Sequence, residues 1–127
     1  MNTPRFRHAG TVFGTRDPDA LASFYERLLG WERFMDEVDW VAIRPDGGGT
    51  SLAFHTDVEY VPPTWPSRPD AQQMMMHVDF VTDDLEAALA HAVELGATVH
   101  EVQHENDEIV LTDPDGHPFC IIRSTNW

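Results

Sequence analysis

The chain has 127 residues, a length that fits one domain, and its 42% apolar content is ordinary for a globular protein. Eight basic against 22 acidic residues give a formal charge of −14, a field that repels phosphate backbones and anionic lipid and so argues against nucleic-acid and membrane partners. The lone cysteine, Cys120, rules out an intrachain disulfide framework, and with no signal-like or 18-residue apolar run the expected location is the cytoplasm.

In chain order, Thr11 and Phe13 alternate with Gly10, Val12 and Gly14, which predicts a first strand. Asp17 followed by Pro18 suits an N-cap and first helical position. Leu21, Phe24, Tyr25, Leu28 and Leu29 then form one stripe, and Gly30 suits a left-handed helix end. Strands are predicted over about 32–38, 39–45 and 50–56. The stretch 57–73 holds four prolines, too many for a sheet interior, and is expected to be an ordered strap laying Tyr60 and Trp65 across the domain. Met74, Met75 and Met76 read as adaptable packing before the next strand. In that strand Val78 and Phe80 alternate with His77, Asp79 and Val81. The following helix carries Leu85, Ala88, Leu89, Ala92 and Val93 on one stripe, with Asp83 and Glu86 as a capping box and Gly96 at its end. Strands over about 98–104, 108–113 and 118–124 complete the pattern.

The second half therefore answers the first. Gly10 corresponds to His77 and Ala53 to Cys120, and Arg44-Pro-Asp-Gly is matched by Asp113-Pro-Asp-Gly. Each half is about 60 residues, a size that folds alone only marginally. The expected fold class is α+β: two βαβββ modules, about 8–56 and about 74–124, in a single domain spanning 1–127, with curved mixed sheets around a shared cleft.

Each helix must cover one face of its sheet, and the bulky residues Leu52, Phe54, Val78, Phe80, Phe119 and Ile121 belong there. Alternation sends His77, Asp79, Cys120, Ile122, Ser51, Ala53, His55, Gly10 and Val12 to the other face. That face predicts a pocket lined by histidine and aspartate.

The Phe24-Tyr25 and Leu29-Gly30 helix, His77-Val-Asp-Phe, Leu95-Gly-Ala and Asp113-Pro-Asp-Gly-His together resemble the vicinal oxygen chelate superfamily. That superfamily holds glyoxalase I, extradiol dioxygenases, methylmalonyl-CoA epimerase and the fosfomycin and bleomycin resistance proteins. The likeness covers about residues 8–123 and is strongest to an unassigned glyoxalase-like branch. Metal-dependent members take one ligand from the first and one from the last strand of each module. The resemblance carries these positions onto Gly10, Ala53, His77 and Cys120. Glycine and alanine offer no donor, so only His77, with Cys120, remains where a catalytic metal needs about three protein ligands. His8 and His55 lie two residues from the vacant positions, but such a shift displaces a ligand by about 6.5 Å. No metal and no cofactor are expected.

These residues lead to a small-molecule-binding protein of the resistance or sequestration type, with His77, His55, Asp79, Cys120 and Trp65 as ligand-binding residues and Trp65 as an aromatic lid. The alternatives are a metal-dependent lyase or dioxygenase, a metal-free isomerase using His77 and Asp79 as catalytic acid and base, or a scaffold with a vestigial cleft. His91, His100, His104 and His117 are expected to be solvated or structural. Trp31, Trp40 and Trp127 exceed what a small core needs, which favours a homodimer.

Overall fold

The computed structural model describes residues 3–103 and 107–124. The chain divides into two compact units, Met1–Val58 and Glu59–Trp127. His104 and Trp127, both named above, lie outside the described residues.

The first unit runs β1 (Gly10–Thr15), α1 (Pro18–Leu29), β2 (Glu32–Glu37), β3 (Trp40–Arg44) and β4 (Ser51–Thr56). Its sheet order is β1-β4-β3-β2, with β1 parallel to β4 and the other pairs antiparallel. Helix α1 starts where its cap residue dictates: the Asp17 carboxylate accepts the Ala20 N–H at 3.1 Å. It stops at Gly30, whose φ of 70° is cheap for glycine. Leu21, Phe24 and Tyr25 are buried. The Tyr25 ring stacks on Phe54 at 5.6 Å and meets Phe13 at 5.4 Å. Period-two alternation in β1 and β4 thus turns Phe13 and Phe54 to the helix, and full burial of each such ring is worth roughly 1.5–3 kcal/mol.

The second unit repeats the plan with β5 (Val78–Thr82), α2 (Leu85–Glu94), β6 (Thr98–Val99), β7 (Glu108–Thr112) and β8 (Pro118–Arg123), in sheet order β5-β8-β7-β6. Thr11 faces Leu52 in the first unit and Val78 faces Phe119 in the second. The same 67-residue step therefore relates both strands of the parallel pair (11 to 78 and 52 to 119). The expected α+β architecture of paired βαβββ modules is present, with the expected parity in both sheets.

Four details differ from expectation. The α2 cap is Asp84, not Asp83: its carboxylate accepts the Ala87 N–H at 3.0 Å, so no Asp83–Glu86 capping box is needed. Of the α2 stripe only Ala92 is buried, and Val93 is 47% exposed. Val78 and Phe80 are accordingly only half-buried, since α2 buries no side chain larger than the Ala92 methyl. The strand expected over 98–104 stops at Val99. Beyond it the Gln103 amide bonds both the N–H and the carbonyl of Val110, filling the place of a strand partner. Met75 and Met76 are each 78% exposed, since Met75 takes a left-handed φ of 57° and turns the chain outward.

The proline-rich strap joins the second unit from Glu59 onward. Tyr60 donates its hydroxyl to the Asp115 carbonyl at 2.9 Å and stacks on His117 at 4.7 Å. Gly116, in the Pro-Asp-Gly turn, has φ 92°, and a Cβ there would stand 3.0 Å from Pro62. Glycine is required on both counts.

Candidate functional site

Strand pairing assembles the chemistry of the second unit. Asp79 on β5 is the lateral partner of Cys120 on β8, and His77 lies two residues before Asp79 on the same face. His77 Nδ1 is 2.6 Å from Asp79 Oδ1, and Cys120 Sγ is 3.9 Å from that nitrogen. An ionised carboxylate only accepts, so Nδ1 facing it carries a hydrogen, and Nε2 is the ring nitrogen not engaged by Asp79. Side chains of His77 and Asp79 retain 29% and 25% exposure, whereas Cys120 has none. Burial, and then the Glu108 and Asp79 carboxylates it faces, push the Cys120 thiol far above its ordinary range. It is a proton-bearing S–H, not a nucleophile. Trp65, on the strap, meets the His77 ring edge-on at 5.3 Å. Its indole N–H is buried with no hydrogen-bond partner among the described residues.

The family's metal can be tested against these positions. A Cβ at Gly10 would lie 2.3 Å from Ser51 Oγ and 2.6 Å from the Ser51 carbonyl oxygen. No donor side chain fits there without moving backbone. Ala53 is buried with a methyl group only, 3% exposed. The four-position set carried over from the resemblance therefore does not fit this chain. Sequence reasoning did undercount the second unit. His77, Asp79 and Cys120 bring three donor atoms within 4.8 Å of one another, because Asp79 joins through the ladder. As arranged, that cluster spends Nδ1 on Asp79. His8 and His55 are both exposed and belong to no donor cluster among the described residues.

The first unit holds a cavity of about 810 Å3 on the sheet face opposite α1. Trp40, Ala42 and Arg44 reach it from alternate positions of β3, while Val41 and Ile43 are buried on the helix side. A bulge in β2 between Arg33 and Met35 breaks the alternation and turns both Phe34 and Met35 toward the cavity. The segment at Arg7, His8 and Ala9 forms another wall, pinned because the Ala9 carbonyl accepts from the Ser51 N–H at 3.1 Å and its hydroxyl at 3.0 Å. The Arg44 guanidinium lies 4.3 Å over the Phe34 ring, a contact worth roughly 0.5–1 kcal/mol at an exposed site. The Trp40 indole N–H points to Met35 Sδ at 3.1 Å.

Sequence reasoning put His77, Asp79 and Cys120 on one face correctly, and it expected the strap to lay Trp65 across the domain without fixing which residue it would meet. It put His55 on the face of Ser51 and Ala53, where the ladder pairs it with Trp40, although His55 does not line the cavity. It missed Phe34, Met35, Trp40 and Arg44 as lining residues, since the bulge has no local signature. Of the remaining described histidines, His91 is exposed on α2 and the other two are held by the protein. His100 Nδ1 accepts the Val102 N–H at 3.1 Å, and His117 Nδ1 lies 3.1 Å from the buried Asp113 carboxylate.

Two βαβββ units, each with a helix on one sheet face and its polar strand positions on the other, define the architecture of the vicinal oxygen chelate superfamily. The chain belongs to the glyoxalase-like domain family, whose sequence profile matches residues 10–122. Its fold is similar to that of a glyoxalase/bleomycin resistance protein/dioxygenase family enzyme from Burkholderia phytofirmans PsJN, at 18% identity over 91% of this chain and 96% of that one, with a TM-score of 0.69. It is also similar to an antibiotic-binding protein from Streptomyces sp. CB03234, at 20% identity over 97% and 100% of the two chains and a TM-score of 0.62. A bleomycin resistance determinant encoded on the transposon Tn5 shares the fold at 21% identity over 94% and 99%, with a TM-score of 0.61. No curated protein matches the chain significantly.

Proposed function

We propose that the protein binds a small organic molecule, in the manner of a resistance or sequestration protein, without the family's catalytic metal. The observation that carries this reading is the first unit's cavity of about 810 Å3, a volume within the range of drug-sized ligand sites. It opens on the same face as Gly10 and Ala53, where the family pattern would need metal donors. The similar folds of an antibiotic-binding protein and a bleomycin resistance determinant support the same direction.

In the second unit the proposed contacts are His77, through Nε2, with Asp79 fixing the ring, Cys120 behind it and Trp65 against it. His55 is proposed as a contact of the first unit. A metal-free isomerase is the second reading, favoured by the 2.6 Å His77–Asp79 contact, which readies an imidazole for proton transfer. The protein is further proposed to be a cytoplasmic homodimer. A clean monomer in sedimentation at micromolar concentration would contradict the dimer.

Calorimetric titration with the molecule extracted from the purified wild-type protein is the test. Trp40→Ala, in the cavity wall, should weaken binding. His77→Ala, paired with a thermal melt, tests the second unit's contacts. Affinity should weaken by roughly 1–3 kcal/mol, the usual cost of an unmatched buried polar partner, while the melting temperature holds. A lowered melting temperature with unchanged affinity would make His77 purely structural.

A further inference from the structure

We propose, resting on the small-molecule reading above, that the first unit's cavity takes an organic anion with a flat aromatic body, and that Arg44 selects for its charge. The chain carries 22 acidic residues, and all eight of its basic residues are arginine. Yet the described residues lining the cavity include Arg7, His8 and Arg44 and no aspartate or glutamate. The sign of the charge is inverted there.

Other arginines are taken up by carboxylates. Arg33 holds Asp19, Glu26 and Asp36, Arg68 pairs with Asp70, and Arg123 pairs with Asp107. Arg44 and Arg7 have no ion pair among the described residues. Glu32 is the cross-strand partner of Arg44, but the guanidinium lies over Phe34 instead of on that carboxylate. Stacked in this way, a guanidinium keeps its N–H edge open to two oxygens of a carboxylate, sulfonate or phosphate ester.

The long-range field of the chain does not defeat such a site. Charges farther than about 8 Å are largely screened at physiological salt, whereas a bound oxyanion would sit at hydrogen-bond distance from Arg44. Trp40, Phe34 and Met35 offer the apolar surface that a bare inorganic ion would leave unused. Size and lining together select an organic anion.

Two fluorescent probes separate charge from bulk: 8-anilinonaphthalene-1-sulfonate, and N-phenyl-1-naphthylamine, which has the same rings without the sulfonate. The whole protein should bind the sulfonate more tightly. Arg44→Gln should weaken that binding about tenfold and leave the neutral probe unchanged, with Arg44→Lys falling between. A melt confirms that the variants fold, and Arg123→Gln, far along the chain on β8, should have no effect. Equal binding of both probes, untouched by Arg44→Gln, would overturn the anion selectivity and leave small-molecule binding standing. Equal losses in Arg44→Gln and Arg123→Gln would reduce the effect to general surface charge and overturn it too. Binding of neither probe would contradict the cavity as a ligand site altogether.

Discussion

Tyr25 and Ala92 occupy the same place in the two units, one 67-residue step apart, and both are fully buried. The first is a large ring wedged against Phe13 and Phe54. The second is a methyl group. Phe24 is likewise answered by His91, buried in one unit and exposed in the other. One backbone plan therefore carries two different divisions of labour. The first unit anchors its helix with aromatic bulk, and its open sheet face bears the cavity. The second has a thinner helix interface, and its sheet face bears the His77, Asp79 and Cys120 cluster.

The sharpest way to break that comparison is Tyr25→Ala. It should cost about 3–5 kcal/mol, the range for deleting a buried ring, read as a fall in denaturation midpoint. A loss below about 1 kcal/mol would mean that the aromatic cluster is not the anchor described.

The helix caps should show the opposite, namely equivalence. Asp17 and Asp84 each accept one backbone N–H three residues on, at 3.1 and 3.0 Å. Asp17→Ala and Asp84→Ala should each cost about 1 kcal/mol. A marked asymmetry in urea titration would show that the caps depend on what their helices pack against.

Alkali gives the smallest effect and sharpens the second unit alone. The Cys120 thiol is raised by burial and by the Glu108 and Asp79 carboxylates, and the Tyr60 hydroxyl is raised by burial and then by Asp113 and Asp115. A group whose proton is held more tightly when folded contributes stability that is complete below its unfolded value. That stability is lost as pH rises through the folded value. Stability should therefore decline above about pH 8.5, where an unfolded thiol ionises, and Cys120→Ala should flatten the first part of that decline. An identical slope in the variant would remove Cys120 as a source.

The repeat, the helix caps of the first unit and the facing of His77, Asp79 and Cys120 were legible in the sequence because they depend on period and spacing. The parallel ladder turns a same-face relation into a lateral one, so Asp79 beside Cys120 needed the register of strands more than 40 residues apart. The cavity was hidden for similar reasons. It needs a bulge that sets Phe34 beside Met35, and an Ala9–Ser51 contact across 42 residues. The loss of β6 beyond Val99 came from one side chain, Gln103, competing for backbone groups, which alternation cannot register.

The central claim, binding of an organic molecule without the family's metal, is tested most directly on one sample of freshly purified protein. Native mass spectrometry should show a small organic adduct that denaturation releases, and elemental analysis of the same dialysed sample should show zinc, nickel, manganese and iron all well below one equivalent per chain. One equivalent of such an ion surviving dialysis, with no organic adduct, would contradict the account and turn attention to His77, Asp79 and Cys120 as its holders.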